Sequence, residues 1–78
     1  MDHAQYRQYF IELGLNIKYY RVKKGLTQQE LADFVYLSKQ QISRIESPNN
    51  STSTKLDTLY AIAEALDVDI RQLIPSNK

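Results

Sequence analysis

Apolar residues recur along this chain at intervals of three and four, the spacing that aligns side chains on one face of an α-helix. In the first part of the chain they are Tyr6, Phe10, Leu13, Ile17 and Tyr20. This stripe predicts a first helix from about Ala4 to Lys24. No segment alternates between apolar and polar residues convincingly enough to predict a β-strand.

Both ends of the first helix carry sequence signals. Asp2 is expected to cap its N-terminus, and Gln5, three residues later, completes a reciprocal capping box. Gly25 is expected to end the helix in a left-handed conformation. Gly14 lies inside the helix and weakens it by about 1 kcal/mol relative to alanine. We therefore expect a close packing contact at Gly14.

Four shorter helices are predicted after Gly25, each beginning with a capping pair. The pairs are Thr27 and Glu30, Ser38 and Gln41, Thr54 and Asp57, and Asp69 and Gln72. The residues expected to be buried in these helices are Leu31, Ala32, Val35, Ile42, Ile45, Leu56, Leu59, Ile62, Ala63, Leu66, Leu73 and Ile74. The pattern therefore predicts an all-α fold, a compact bundle of five helices.

The connection between the second and third helices is very short, since only Tyr36 and Leu37 separate them. Helices joined by so few residues cannot lie antiparallel, so they must cross at a steep angle. The polar segment from Ser47 to Ser53 is too hydrophilic for a core and predicts a loop before the fourth helix.

Composition limits the kinds of protein that this chain can be. Its 78 residues predict one domain over residues 1–78, in which residues 1–12 extend the first helix and residues 75–78 form a frayed tail. The chain has no cysteine and one histidine, His3, near its N-terminus. We therefore expect no enzyme, no metal, no cofactor and no small-molecule ligand. No apolar run spans a membrane and no secretion signal is present, which favours a soluble cytoplasmic protein.

Charge is unevenly distributed although the net charge is only +1. Residues 1–55 carry eight Lys and Arg against five Asp and Glu, whereas residues 56–78 carry two against four. Solvated helix faces show similar clusters. Charge alone therefore leaves open whether the basic part binds an anionic partner.

The segment from Gln28 to Glu46, QQELADFVYLSKQQISRIE, resembles the helix-turn-helix of the Cro and phage-repressor family, also called the XRE family. The resemblance extends from about Leu13 to Ile74. It implies a lambda-repressor-like domain whose second and third helices form the helix-turn-helix. It also implies a sequence-specific regulator of transcription that binds double-stranded DNA and reads the major groove with its third helix.

The resemblance also implies roles for particular residues. Those expected to contact bases are Ser38, Lys39, Gln40, Ser43 and Arg44. Those expected to contact backbone phosphates are Gln28, Gln41, Arg21, Asn49, Asn50 and Ser51. Arg21 and Glu46 are expected to form a structural ion pair that orients the third helix. Arginine and lysine suit guanine, and glutamine suits adenine; the alternative is that these side chains only keep an exposed helix soluble.

Three features depart from the family pattern. The loop from Ser47 to Ser53 is longer than in the smallest family members, so its expected phosphate contacts correspond less closely to theirs. Tyr36 stands where the family usually has glycine, and a positive φ there would cost about 1–3 kcal/mol. We therefore expect a turn that is built differently. Tyr6, Tyr9 and Phe10 have no family role; we expect them to pack against the fifth helix, and a subunit contact is the alternative.

A homodimer on a near-palindromic operator is the expected active species, because one short helix reads too few base pairs for specific binding. The expected interface residues are Tyr60 and Ile70, followed by Tyr6 and Tyr9. An antitoxin-like or other protein-interaction module on the same fold is the alternative function. The polar and basic third helix argues against it, since an interaction surface needs aromatic or aliphatic anchors.

Overall fold

Five α-helices make up the part of the chain that the structure, a computed structural model, describes: residues 3–49 and 54–75. They are α1 (His3–Lys24), α2 (Gln28–Phe34), α3 (Lys39–Glu46), α4 (Leu56–Leu66) and α5 (Ile70–Leu73). No β-strand occurs within those two ranges. The predicted all-α, five-helix fold is confirmed. The capping box expected from Asp2 and Gln5 and the expected tail at residues 76–78 lie outside what the structure describes.

Each helix contributes one large, completely buried aliphatic side chain to the core. These side chains are Ile17, Leu31, Ile42, Ile62 and Leu73. The remaining buried aliphatic residues are Leu13, Ala32, Val35, Leu59, Ala63 and Leu66. Burying one leucine or isoleucine contributes about 1.5–3 kcal/mol, so each helix is held to the bundle by its own apolar anchor. Within the described residues, no helix is long and apolar enough to cross a membrane.

Three of the four capping boxes predicted after Gly25 are confirmed, with both hydrogen bonds present in each. They are Thr27 with Glu30, Ser38 with Gln41, and Asp69 with Gln72. Caps of this kind contribute roughly 0.5–2 kcal/mol each. The pKa of the Asp69 carboxyl is lowered from its ordinary value because the side chain and the backbone N–H of Arg71 donate hydrogen bonds to it.

The fourth helix begins close to Thr54 as predicted, but the capping pair of Thr54 and Asp57 is wrong. Lys55 rather than Thr54 occupies the N-cap position, and its side chain makes no capping hydrogen bond. The Asp57 carboxylate accepts a hydrogen bond from the N–H of the next residue, Thr58, at 2.8 Å. The hydrogen bond to a backbone N–H in the first turn of α4 is therefore accepted by Asp57, a residue of the helix itself, and not by a threonine before the helix.

Two residues predicted to be buried are exposed, and a third is only partly buried. Leu56 is 62% exposed because it lies in the first turn of α4, at the edge of the bundle. Ile74 is exposed because it follows the end of α5, where the backbone has become extended. Ile45 packs against the core while remaining half-buried.

Three helices end with a residue in the left-handed region followed by a backbone hydrogen bond that spans the last turn. The left-handed residues are Gly25, Tyr36 and Asp67, with φ values of 81°, 58° and 57°. The hydrogen bonds run from Leu26, Leu37 and Val68 to the carbonyls of Arg21, Ala32 and Ala63. This is the Schellman arrangement, which satisfies carbonyl groups at the end of a helix. The left-handed end expected at Gly25 is confirmed.

Tyr36 has the positive φ that was expected to be avoided, so the prediction of a differently built turn is wrong. Its side chain is 96% exposed and packs against nothing that would offset the strain. A left-handed conformation costs a residue with a Cβ roughly 1–2 kcal/mol. The hydrogen bond from the backbone N–H of Leu37 to the carbonyl oxygen of Ala32 stabilises the tight turn in spite of this cost.

Replacing Tyr36 with glycine is expected to stabilise the fold by about 1 kcal/mol, because glycine adopts this φ without the steric clash of a Cβ. Tyr36→Ala is the matched control, since it removes the ring and keeps the Cβ. It should leave the free energy of unfolding nearly unchanged. Urea unfolding of the three proteins measures the difference. Equal stability of the glycine and alanine variants would show that the turn carries no such strain.

Candidate nucleic-acid interface

α2 and α3 form the helix-turn-helix, and their crossing is held by small and branched apolar side chains. Ala32 of α2 and Ile42 of α3 are fully buried, and Val35 at the end of α2 is buried beside them. A small residue at the crossing lets the two backbones approach closely, which sets the distance between packed helices. α3 is thereby fixed across α2 with its opposite side facing solvent.

The last turn of α3 touches the backbone of α1 at Gly14. A Cβ placed on Gly14 would overlap the carbonyl oxygen of Ile45 and would lie 3.3 Å from the Cα of Glu46. The close contact predicted for Gly14 is confirmed. Only glycine leaves room for the end of α3 at this position.

A buried ion pair lies next to this contact. Arg21 donates from Nε to Oε2 of Glu46 at 2.7 Å and from Nη2 to Oε1 at 2.9 Å. Nη1 of Arg21 donates to the carbonyl oxygen of Leu26 at 2.7 Å. Gln28 adds a third donor to the Glu46 carboxylate, from Nε2 to Oε1 at 3.2 Å. Bidentate pairing with a carboxylate is among the strongest side-chain interactions, so this cluster ties α3 to α1 and to the start of α2.

Arg21 was also expected to contact a phosphate, and its burial argues against that role. Only 9% of the Arg21 side chain is exposed, and all three guanidinium nitrogens donate to protein acceptors. The geometry therefore favours the structural role of Arg21 over contact with DNA.

The residues expected to contact bases share the solvent side of α3. Lys39, Gln40, Ser43 and Arg44 are exposed, while Ile42 lies on the opposite side in the core. Ser38 is exposed at the N-cap, where its hydroxyl accepts a hydrogen bond from the backbone N–H of Gln41. The exposed side of α3 therefore presents two cations and several hydrogen-bonding groups to solvent.

The structure describes three other residues that were expected to contact phosphates, Gln28, Gln41 and Asn49. Gln28 is half-buried, and although one amide hydrogen binds Glu46, a second remains available. Gln41 is exposed and accepts a hydrogen bond from the backbone N–H of Ser38 through its side-chain oxygen. Asn49 is exposed in the turn after α3, whereas Asn50 and Ser51 lie outside the described residues.

Lys55 lies on the same surface, although it was not predicted from the sequence as a site residue. A cleft of about 250 Å³ separates α3 from the start of α4. Its polar lining residues are Gln41, Arg44, Thr54, Lys55 and Thr58. The sequence signal for Lys55 was its place at the end of the polar loop, directly before α4. Two cations and three hydrogen-bonding side chains make the cleft chemically suited to an anion.

The residues expected at a subunit interface lie on other parts of the surface. Tyr60 is exposed on α4, and Ile70 packs partly against the core. Tyr6 and Tyr9 are partly exposed on α1, and Phe10 beside them is half-buried. α1 meets α5 through Asn16, whose side-chain amide donates to the carbonyl oxygen of Leu73 at 2.8 Å. Packing of Tyr6, Tyr9 and Phe10 on α5 stays a prediction.

Comparison with known proteins identifies several similar chains. A family model described as helix-turn-helix, of the XRE type, matches residues 17–73. The competence pilus inhibition repressor of Acinetobacter baylyi is 33% identical over 63 residues, which is 81% of this chain. The chain spans only 56% of that relative's length.

Two solved structures share the fold. The restriction-modification controller protein C.AhdI from Aeromonas hydrophila matches with a TM-score of 0.80 and 25% identity, over 88% of this chain and 97% of that one. A hypothetical transcription factor, NHTF, from Neisseria matches with a TM-score of 0.75 and 31% identity, over 95% of this chain and 79% of that one. Among the residues that the structure describes, no group of side chains suited to a metal ion is found.

The contact between Arg21 and Glu46 predicts strong energetic coupling. Arg21→Met or Glu46→Met alone leaves a buried charge without its partner, at a cost of about 3–5 kcal/mol. The double substitution should cost much less than the two single costs combined. Thermal or urea unfolding of the four proteins measures the coupling.

The exposed pair of Asp69 and Arg71 provides the matched control for that cycle. Its charged atoms lie 3.1 Å apart, but both side chains are largely open to solvent. Exposed pairs contribute little, since water and salt screen them, so the cycle of Asp69→Asn and Arg71→Gln should show much weaker coupling than the buried pair. Strictly additive effects at Arg21 and Glu46 as well would contradict the structural role assigned to their pair.

Proposed function

The chain belongs to the XRE type of helix-turn-helix proteins, and from this membership we propose that it regulates transcription by binding a specific operator in double-stranded DNA. The observation that carries the proposal is the exposed, polar and basic side of α3, held in place by the buried contacts of Gly14 and Glu46. The relative in Acinetobacter is a repressor, which favours repression as the direction of regulation. Binding to genomic DNA would place the protein in the cytoplasm.

We propose that side chains on the exposed side of α3 contact the bases of the DNA. A B-form major groove is about 12 Å wide and admits one α-helix. Lys39 and Arg44 suit the O6 and N7 acceptors of guanine, and Gln40 suits adenine, which offers both a donor and an acceptor. Ser38 and Ser43 add shorter groups that donate and accept hydrogen bonds. These five side chains determine the preferred sequence in this proposal.

We propose that residues around α3, mainly near its two ends, contact the phosphates of the DNA backbone. Gln41 lies in the first turn of α3, and Gln28 and Asn49 lie at its end, where Gln28 binds Glu46. Lys55 lies across a cleft from Gln41 and Arg44. Contacts to phosphates position a protein on the duplex without reading its sequence. Asn50 and Ser51 keep the same predicted role.

Binding to duplex DNA should weaken steeply as salt rises. A dimer that neutralises about six phosphates releases their counterions, so the logarithm of affinity should fall against the logarithm of salt concentration with a slope near −5. Fluorescence anisotropy of labelled duplexes at several salt concentrations measures this slope. Micromolar or weaker binding to every duplex in a random pool at low salt would exclude the DNA-binding function.

Substitutions on α3 and at the start of α2 should differ in their effect on specificity. Lys39→Ala and Arg44→Ala should each cost roughly 1–3 kcal/mol at one operator position and relax the preference there. Gln28→Ala should weaken binding to all sequences about equally. Affinities for every single-base variant of the operator distinguish the two patterns. Equal, sequence-independent losses for all three variants would overturn the assignment of bases to Lys39 and Arg44.

We further propose that two copies bind a near-palindromic operator about a twofold axis. Half-site centres would lie roughly 34 Å apart, one turn of the duplex. The interface must lie away from α3, and Tyr60 on α4 is its leading candidate because its ring is exposed outside the buried stripe of that helix. Ile70, Tyr6 and Tyr9 are the other candidates.

Tyr60→Asp should abolish the complex of two proteins on one duplex while leaving the monomer folded, because a charged group cannot be buried without a partner. Tyr19→Asp is the matched control, since Tyr19 is 59% exposed and Tyr60 is 57% exposed. Analytical ultracentrifugation of the protein with its operator measures the stoichiometry. A stable one-to-one complex of the wild-type protein on a non-palindromic site would contradict the dimer.

A further inference from the structure

α1 is apolar on two sides, although a helix at the surface of a small domain normally has one apolar stripe. Its inner side provides the buried Leu13 and Ile17. On its other side Leu15, Tyr19 and Val22 follow one another at intervals of four and three, and all three are exposed. The Tyr19 ring meets the neighbouring Tyr20 ring edge-on, with 4.9 Å between their centres, but the second stripe as a whole stays open to solvent.

These three residues form one exposed patch on α1 together with Lys18 and Lys23, and we name this patch the outer face of α1. No acidic residue lines it. The Nζ atom of Lys23 lies 5.8 Å from the centre of the Tyr19 ring, within the range of a cation–π contact. The outer face of α1 thus combines an apolar centre with a positive charge on either side.

Other residues of α1 make its contacts with the rest of the bundle. Gly14 and Arg21 face α3, and Asn16 reaches α5. None of the residues assigned to DNA lines the outer face of α1. A partner can therefore occupy this face without replacing any contact on which the fold or the proposed DNA surface depends.

We propose that the outer face of α1 binds an amphipathic helix of a different protein, with carboxylates on both sides of an apolar stripe. Two helices pack against each other through apolar side chains at intervals of three and four, which matches the spacing of Leu15, Tyr19 and Val22. Carboxylates would complement Lys18 and Lys23. A second copy of this chain fits poorly, because antiparallel pairing of two outer faces about a twofold axis would bring Lys18 close to its own symmetry mate. Lys18 flanks the stripe halfway between Leu15 and Val22. Like charges in an interface are destabilising.

Nuclear magnetic resonance titration with three synthetic helical peptides tests this proposal. The peptides share one leucine stripe and carry glutamate, glutamine or lysine at the flanking positions. The glutamate peptide should shift the amide signals of residues 15–23 and bind roughly five-fold more tightly than the glutamine peptide, since two exposed ion pairs contribute modestly. The lysine peptide should not bind. Lys18→Gln together with Lys23→Gln should remove the preference for glutamate.

Val22→Asp and the milder Val22→Ser should both weaken binding of the glutamate peptide. Phe34→Asp on α2 is the matched control and should not, since Phe34 is 63% exposed and Val22 is 58% exposed. Equal binding of all three peptides, no binding of any, or shifts centred elsewhere would overturn the proposal. Loss of the two-to-one DNA complex in Tyr19→Asp would instead identify a second copy as the occupant.

Discussion

The carboxylate of Glu46 is the group on which the arrangement of the first three helices depends. It is almost completely withdrawn from water at the end of α3, where an ionised group without partners would cost several kcal/mol. Its three donors come from Arg21 in α1 and Gln28 in α2. Satisfying this one charge therefore requires α1, α2 and α3 to meet at a single point, and it allows the end of α3 little freedom to move.

Gly14 makes this requirement geometrically possible. The carbonyl of Ile45, one residue before Glu46, occupies the space that a side chain at position 14 would need. Apolar residues of the same size would often stabilise a fold as well as a buried ion pair does. We therefore infer that the pair is more important for orientation than for stability. The contact with α1 at Gly14 and the crossing with α2 hold α3 from two sides. The polar side of α3 stays exposed, where a DNA duplex can bind.

Much of the fold could be predicted because its signals are local. Thr27, Ser38 and Asp69 each bond to a residue three positions along, so the sequence alone contains both partners of the capping box. The exposure of Leu56 and Ile74 was not predictable in this way, because it depends on where the bundle ends in space. The spacing of apolar residues at intervals of three and four places Leu56 and Ile74 on the apolar face of a helix. That spacing does not show whether another part of the protein covers the face.

In the candidate site, too, some features follow from residues close in sequence and others depend on contacts with distant residues. The exposed side of α3 lies opposite Ile42 and Ile45, which pack on the core and are recognisable from their spacing. The burial of Arg21 depends instead on Leu26 and Glu46, which meet it from outside α1. Lys55 was missed because nothing local brings the start of α4 next to Arg44. Tyr36 adopts a positive φ because the tight turn between α2 and α3 overrides the local preference of tyrosine.

Selection of bound sequences from a random pool of duplexes tests the central claim, that a fixed α3 reads DNA, most directly. The account predicts enrichment of a near-palindrome whose two half-sites are centred about one helical turn, or roughly 10 base pairs, apart. The same selection with Glu46→Gln, which keeps the exposed side of α3 unchanged, should give a weaker or broader motif. A pool that stays random with the wild-type protein would contradict the account.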